Sequence, residues 1–186
     1  MRPLRRLRTI VPLVLALIGM LAHAAAASSL EYRVKAAFLY NFAKFIDWPP
    51  QAFADPQAPY VICVLGQDPF NEDLDAAVVG QLVQGRKLVV RRIPELKGIP
   101  GCHILYAGAS EHDRVGAMLA VVGDAPILTV GEDEDFIRQG GGLRFLLAEN
   151  KVRFEINLAS TERAHLKVSA KLLSLARVVG KPGGKP

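Results

Sequence analysis

The feature that most constrains this chain is an aromatic segment at residues 32–49, which holds six of the thirteen Phe, Tyr and Trp residues. The helical period predicts one apolar stripe along this segment, formed by Val34, Phe38, Leu39, Phe42, Phe45 and Ile46. Trp48-Pro49-Pro50 ends the helix, because a residue that precedes proline is forced out of the α-helical region. A stripe this wide needs cover on more than one side. We therefore expect the helix to be wedged into a fold or an interface.

The first 27 residues are typical of a cleaved secretory signal peptide. They combine four arginines, an apolar run from Ile10 to Leu21, and the cleavage pattern Ala22-His23-Ala24. The apolar run is shorter than the roughly 20 residues of a membrane-spanning helix, which favours cleavage over an uncleaved anchor. Arg5-Arg6 leaves twin-arginine export as an alternative to Sec export. We expect a periplasmic protein with one mature domain at residues 28–180 and a disordered tail at residues 181–186.

Removal of the signal peptide changes the charge balance. The full chain has a formal net charge of +5, from 23 Lys and Arg against 18 Asp and Glu. Four of the arginines and none of the acids lie in the signal peptide, so the mature chain has 19 bases against 18 acids and a net charge of +1. This balance excludes the basic surface that is typical of nucleic-acid binding.

Strand and helix patterns alternate after the aromatic segment. Short apolar runs predict strands at residues 60–66, 87–91, 102–107 and 127–130. Capping signals predict helices from Asp68-Pro69 to Val79 and from Ser110 to Val122. The acidic run Glu132 to Asp135 is expected to start another helix. Two alternating runs, at residues 143–147 and 152–157, predict an antiparallel hairpin, and a last helix capped by Ser169 extends to Val179.

This alternation predicts an α/β fold, with a mostly parallel Rossmann/flavodoxin-like sheet, flanking helices and a C-terminal antiparallel hairpin. In a flavodoxin-like sheet the first three strands have the order 2-1-3, which makes the first and third strands neighbours. The two cysteines of the chain, Cys63 and Cys102, lie on those two strands. In an oxidising compartment such a pair predicts a disulfide, and two buried free thiols are the alternative.

Two runs, one glycine-rich and one acidic, are candidate ligand sites. Gly140-Gly141-Gly142 follows a predicted helix and lacks the Lys-Ser/Thr of a phosphate loop, so it predicts a flexible lead into the hairpin. The acidic run at residues 132–135 lacks the spacing of a calcium loop. We therefore expect neither a metal nor a cofactor.

Catalytic residues are not assembled by any pattern in the chain. The histidines at positions 103, 112 and 165 have no metal-ligand spacing. Ser110, His112 and Asp113 have the residue types of a triad, but neighbours one or two apart on a helix do not face each other. We expect a regulatory or binding protein without catalytic residues rather than an enzyme.

A ligand crevice is the general possibility for an open α/β sheet, at the carboxyl ends of its strands. Here that edge is predicted to hold Gly66-Gln67-Asp68, Gly108-Ala109-Ser110 and Gly131-Glu132-Asp133. A periplasmic small-ligand-binding sensor with a different signalling partner is therefore the alternative function.

Two segments resemble the signatures of the YfiR family of periplasmic regulators. One is residues 34–49, and the other comprises Gly141-Gly142, residues 152–157 and residues 166–176. The resemblance implies a repressor that binds the periplasmic sensing domain of a membrane-bound, YfiN-like diguanylate cyclase and so lowers cyclic di-GMP and biofilm formation. It also implies a homodimer and sequestration by a YfiB-like outer-membrane lipoprotein. Cys63 and Cys102 match one disulfide of the family, whereas a second pair found in some relatives is absent.

A repressor of this kind needs exposed apolar surface rather than catalytic residues. Leu166 and Val168 lie between the hairpin and the last helix, where a short loop can display them beside Glu155. We predict that Glu155, Leu166 and Val168 contribute to the partner-binding surface. The alternative is that Leu166 and Val168 pack into the core.

Overall fold

A computed structural model describes residues 30–180, so the predicted signal peptide and C-terminal tail lie outside the described residues. The aromatic segment forms helix α1, residues 30–45, and the chain leaves the helix at β1, Ile46–Asp47, before the two prolines. A short 3-10 turn at Pro50–Ala52 follows. The predicted helix and its end are thus confirmed.

Strands and helices alternate through the rest of the chain. They are β2 (Tyr60–Leu65), α2 (Asp73–Val78), β3 (Leu82–Val83), β4 (Arg86–Ile93), β5 (Ile104–Ala107), α3 (Val115–Val122), β6 (Leu128–Gly131), β7 (Leu143–Ala148), β8 (Lys151–Asn157), α4 (Leu158–Arg163), β9 (Lys167–Val168), α5 (Ala170–Leu173) and β10 (Arg177–Val179). No helix within residues 30–180 is long and apolar enough to cross a bilayer.

Eight of these strands form one sheet in the order β10-β8-β7-β6-β5-β2-β4-β3, and β1 pairs separately with β9. The central strands β4, β2, β5, β6 and β7 are parallel, whereas β7 and β8 form an antiparallel hairpin. The predicted mostly parallel α/β fold and its C-terminal hairpin are confirmed. The predicted order 2-1-3 corresponds to β4-β2-β5.

Helix α1 covers one face of this sheet. Its buried residues include Leu39 and Phe42, and the Phe42 ring lies 5.7 Å from Phe145 and 5.3 Å from Phe154. Burying such aromatic side chains is among the largest single contributions to a core. The buried stripe is rotated from the predicted one, because Val34 is exposed. Helix α1 packs against the sheet along the side that carries Leu39 and Phe42.

The opposite face of the sheet holds the disulfide. Cys63 on β2 and Cys102, just before β5, are bonded, with their Cα atoms 5.8 Å apart. The pairing of β2 with β5 brings these two segments together, as the strand order predicted. A bond that closes a span of 39 residues contributes roughly 4 kcal/mol on the chain-entropy model.

Three predicted helix starts are wrong. The segment from Ser110 forms a 3-10 turn, Ala109–Arg114, and α3 begins only at Val115. Helix α2 begins at Asp73 rather than Asp68, because the Asp68 carboxylate accepts a hydrogen bond from the Phe70 amide, 2.7 Å, and forms a local turn. The acidic run does not start a helix either. The Asp133 carboxylate accepts from the Asp135 amide at 2.8 Å, which stabilises a turn instead.

The predicted last helix is too long. Ser169 caps α5 as expected, since its hydroxyl accepts a hydrogen bond from the Leu172 amide, 3.3 Å. The helix ends at Leu173, and the chain then forms β10, which pairs in parallel with β8. The β-branched pair Val178-Val179 suits this extended edge strand.

Candidate functional site

Glu155 lies between two arginines in the sheet. In the strand register it is opposite Arg144 on β7 and Arg177 on β10. It forms ion pairs with both guanidinium groups, at 3.2 Å from Arg144 Nε, and only 3% of the residue is exposed. A buried carboxylate needs such cations, because an isolated charge in the interior is strongly unfavourable. Glu155 therefore joins three strands, and the exposed Arg177 side chain reaches the surface beside it.

Leu166 and Val168 lie in the segment that returns from α4 to α1. Val168 on β9 pairs with Ile46 on β1, and the Ser169 amide donates a hydrogen bond to the Phe45 carbonyl, 2.9 Å. Val168 is half-buried, and Leu166 is only 4% exposed within the core cluster under α1. The expected display of Leu166 at the surface is therefore wrong: the residue packs into the core.

The three predicted partner-binding residues do not share one surface. Phe154 and Ile156 on β8 face the α1 side of the sheet, where Leu166 packs. Since side chains alternate along a strand, Glu155 faces the other side. A role of Glu155, Leu166 and Val168 in partner binding stays a prediction, with Val168 and its neighbour Lys167 as the accessible part.

The predicted ligand crevice at the carboxyl edge of the sheet is filled by the chain's own side chains. Lys35 of α1 is buried there and forms ion pairs with Glu31 and, at 2.9 Å, with Glu132. The hydroxyls of Tyr106 and Tyr32 also donate hydrogen bonds to the Glu132 carboxylate. The Lys35 side chain of α1 thus occupies the place where open α/β sheets bind ligands.

The pKa values of this cluster follow from its burial and charges. Burial alone would lower the pKa of Lys35, but the hydrogen bonds to Glu31 and Glu132 outweigh it and raise the pKa. Burial raises the pKa of Tyr106, and the Glu132 charge adds to the effect. The cluster is therefore an ammonium ion held by carboxylates, with neutral tyrosines as donors.

Gly66 closes a second part of the same edge. Its φ is +73°, and a Cβ there would overlap the Glu111 carboxylate, whose residue is buried and paired with Arg114. The Ser110 hydroxyl accepts from the Gln67 amide at 3.3 Å and donates to Glu111 at 3.1 Å. Gly66 is needed here because only glycine combines this backbone conformation with so close an approach.

One open cavity, of about 240 Å³, lies elsewhere, near the start of β6. Its floor includes Ile127 and Thr129, and Asp124 and Arg163 stand at its rim. A cavity with a largely polar lining and opposite charges at the rim can take a small polar molecule.

The other motifs form local contacts. His112 pairs with Asp133 rather than with Ser110, and this contact raises the pKa of the exposed imidazole. Gly140 has a φ of +104° and leads into the β7–β8 hairpin as predicted. Among residues 30–180, no three His, Cys, Asp or Glu side chains cluster as metal ligands.

Sequence reasoning missed the Lys35 cluster and the arginines that hold Glu155. Lys35 carries a usable signal, because it is a charged residue beside Ala36 and Leu39 on the buried side of α1. Arg144 and Arg177 carry none, since their proximity to Glu155 arises from strand pairing between distant segments.

Comparison with known proteins gives one family. The model of the YfiR/HmsC-like family matches residues 32–177. A crystal structure of a conserved domain protein from Vibrio cholerae O1 biovar El Tor str. N16961 is similar over 63% of this chain and 54% of that chain, with 12% sequence identity and a TM-score of 0.48. The chain therefore spans about half the length of that protein. No curated protein matches.

Proposed function

The chain belongs to the YfiR/HmsC-like family of regulators of diguanylate cyclases, and from this premise we propose that it is a periplasmic repressor. It binds the periplasmic sensing domain of a membrane-bound, YfiN-like diguanylate cyclase and thereby lowers cyclic di-GMP and biofilm formation. The observation that carries the proposal is the family match across residues 32–177, which includes α1, the hairpin and β9. The filled carboxyl edge also favours a protein that acts through its outer surface.

The remaining parts of the proposal concern export and assembly. The signal peptide at residues 1–27 is cleaved and directs the chain to the periplasm, and residues 28–180 act as one domain. The exported protein is a homodimer, which a YfiB-like outer-membrane lipoprotein sequesters. N-terminal sequencing of the periplasmic protein tests cleavage, and Met1 at its N-terminus would contradict it.

The proposed contact is centred on the β1–β9 ribbon, which comprises Ile46–Asp47 and Lys167–Val168. Lys167 is exposed and Val168 is half-buried, so both are accessible to a partner. Leu166 holds this ribbon from inside the core, and Glu155 holds Arg177 at the surface. Interfaces concentrate their binding energy in a few anchors, and Val168 is the apolar anchor here.

The test measures cyclic di-GMP in a strain that lacks the gene, then after complementation with wild type or variants. Val168→Asp should leave cyclic di-GMP high while the protein stays folded and exported. The matched control is Val121→Asp, because Val121 is an exposed valine on α3, and this variant should repress like wild type. Leu166→Asp is unsuitable, since a charge at this buried position should unfold the protein.

Each outcome of this test has a separate meaning. Unchanged cyclic di-GMP after deletion of the gene would refute the cyclase proposal. Full repression by a folded Val168→Asp protein would refute the proposed surface only.

A small-ligand sensor with a different signalling partner is the second candidate, because of the cavity between Asp124 and Arg163. Ligand binding to the native state must raise the unfolding temperature. A shift with a periplasmic metabolite that is lost in Arg163→Ala would support this function. If none of a panel of periplasmic metabolites shifts the unfolding temperature, only the protein-binding function remains.

A further inference from the structure

One strand of the sheet has an incompletely paired outer edge. Strand β4 pairs with β2 from Leu88 to Ile93, but on its other side β3 covers only Arg86 and Lys87. Among the described residues, no backbone group pairs with the outer side of residues 88–92. A row of free N–H and C=O groups is a template for another strand.

The register identifies which residues present these groups. The Gly66 amide donates to the Ile93 carbonyl at 2.9 Å, so Ile93 faces β2. Backbone direction alternates along a strand, and therefore Leu88, Val90 and Arg92 face outward. The two-residue turn at Gln84-Gly85 agrees, because its closing pair makes Arg86 face β3 and keeps the same alternation.

The two arginines within the free stretch of β4, Arg91 and Arg92, do not guard this edge. The Arg91 guanidinium donates to the carbonyls of Gly98, 3.2 Å, and Pro100, 2.9 Å. That of Arg92 donates to Asp68 at 2.8 Å and to Asp75 at 2.9 Å. Both side chains are therefore turned back onto their own domain, whereas exposed charges normally protect an edge strand.

Apolar side chains lie beside the same edge. Leu82 on β3 is 60% exposed, and Val89 on β4 is 39% exposed. An edge strand with free backbone groups and exposed apolar side chains is suited to pairing with another β-strand.

We propose that the outer edge of β4 pairs antiparallel with β4 of a second copy of this chain, about a twofold axis at Val90. In this register Val90 is opposite Val90, and Leu88 is opposite Arg92 of the second copy. The three outward residues of each strand then exchange about six backbone hydrogen bonds across the contact. The sheet becomes continuous through the dimer.

The length of the free edge fits a second copy. The next pair outward would place Ile93 opposite Lys87, which already pairs with Leu82, and Pro94 follows Ile93. The five residues 88–92 therefore fill the space between the two β3 strands without overlap. Such a self-complementary patch is what a twofold contact requires.

This proposal deepens the homodimer of the proposed function but does not require repression of a cyclase. It is tested on the purified exported chain alone, whereas repression is measured in cells. Failure of one is therefore distinguishable from failure of the other.

The first test compares two proline variants by analytical ultracentrifugation and thermal unfolding. In Val90→Pro the lost N–H faces outward, so we expect a folded monomer in place of the wild-type dimer. In Val89→Pro the lost N–H faces β2, so the control should fail to fold. A monomeric wild type at every soluble concentration, or a folded Val90→Pro that remains a dimer, would overturn the proposal.

A second test remains informative if Val90→Pro does not fold. Opposite Cα atoms in a hydrogen-bonded antiparallel pair are about 5.5 Å apart, a distance that a disulfide spans. Val90→Cys should therefore form a covalent dimer on mild oxidation, and Leu82→Cys, on the neighbouring strand, should not. A dimeric Val90→Cys protein that does not cross-link would overturn the register.

Discussion

The clearest test of the structure is the replacement of Lys35 by methionine. The Lys35 side chain is only 3% exposed, and its ammonium lies 2.9 Å from Glu132 and in contact with Glu31. Methionine keeps most of the apolar stem and removes the charge. Glu132 would then be a largely buried carboxylate without its cation, although two tyrosine hydroxyls still donate to it.

The expected loss of stability is large. Removal of one partner from a buried ion pair typically costs 3–5 kcal/mol, and the tyrosine donors should place Lys35→Met near the lower end, at about 3 kcal/mol. A domain has about 5–15 kcal/mol in all, so the variant should be markedly less stable. The double variant Lys35→Met with Glu132→Gln should recover about 1–2 kcal/mol, because only the more exposed Glu31 carboxylate is then left without its cation.

Urea unfolding measures these differences, and Lys97→Met is the matched control. Lys97 lies 2.7 Å from Glu95, but the two side chains are 83% and 59% exposed, so this change should stay within about 0.5 kcal/mol of wild type. The stabilisation from Lys35 should also be lost as the pH rises through its elevated pKa, because it requires the ammonium form. A loss below about 1 kcal/mol in Lys35→Met, or no recovery in the double variant, would refute the reasoning.

Three further predictions concern the core. Replacement of both Cys63 and Cys102 by alanine should lower the free energy of unfolding by about 4 kcal/mol, and an unchanged urea midpoint would contradict this. Gly66→Ala should lower the free energy of unfolding by at least about 2 kcal/mol, because the added Cβ would overlap the Glu111 carboxylate and the backbone φ is positive. A variant that unfolds at the wild-type temperature would argue against this. Burial lowers the pKa of His103 to about 4 from 6.5, so the unfolded chain binds the proton first. Stability should fall as the pH drops from 6.5 toward 4, by up to about 3 kcal/mol, and His103→Phe should remove this slope.

Much of the fold could be predicted because its signals are local. The aromatic segment has a helical period and two prolines at its end, and the apolar runs that became β2, β5 and β6 are short and bounded by turn residues. The disulfide required one further step, since Cys63 and Cys102 meet only if β2 and β5 are neighbours. The 2-1-3 order of flavodoxin-like sheets predicts that these two strands are neighbours.

The differences arise where distant contacts decide the structure. Residues 177–179 continue an apolar pattern that fits a helix, but β8 offers a free edge and the chain becomes β10. His165 has a positive φ, and the turn it makes directs the side chain of the next residue, Leu166, into the core rather than toward solvent. Neither outcome is encoded within a few residues, because each depends on a surface that exists only after the sheet has formed.

The distribution of contacts over the sheet limits how this protein can act. Its carboxyl edge is occupied by Lys35 and Glu132, which under the proposed function favours binding through outer surfaces. Glu155 and Arg177 lie on β8 and β10, at the end of the strand order opposite to β4. A dimer that pairs through β4 therefore leaves the β10 end free in both copies. The β1–β9 ribbon lies closer to that dimer contact, because the Asp47 carboxylate accepts a hydrogen bond from the Gln84 side chain in the β3–β4 turn, 3.0 Å, so a partner on the ribbon would bind beside the second copy.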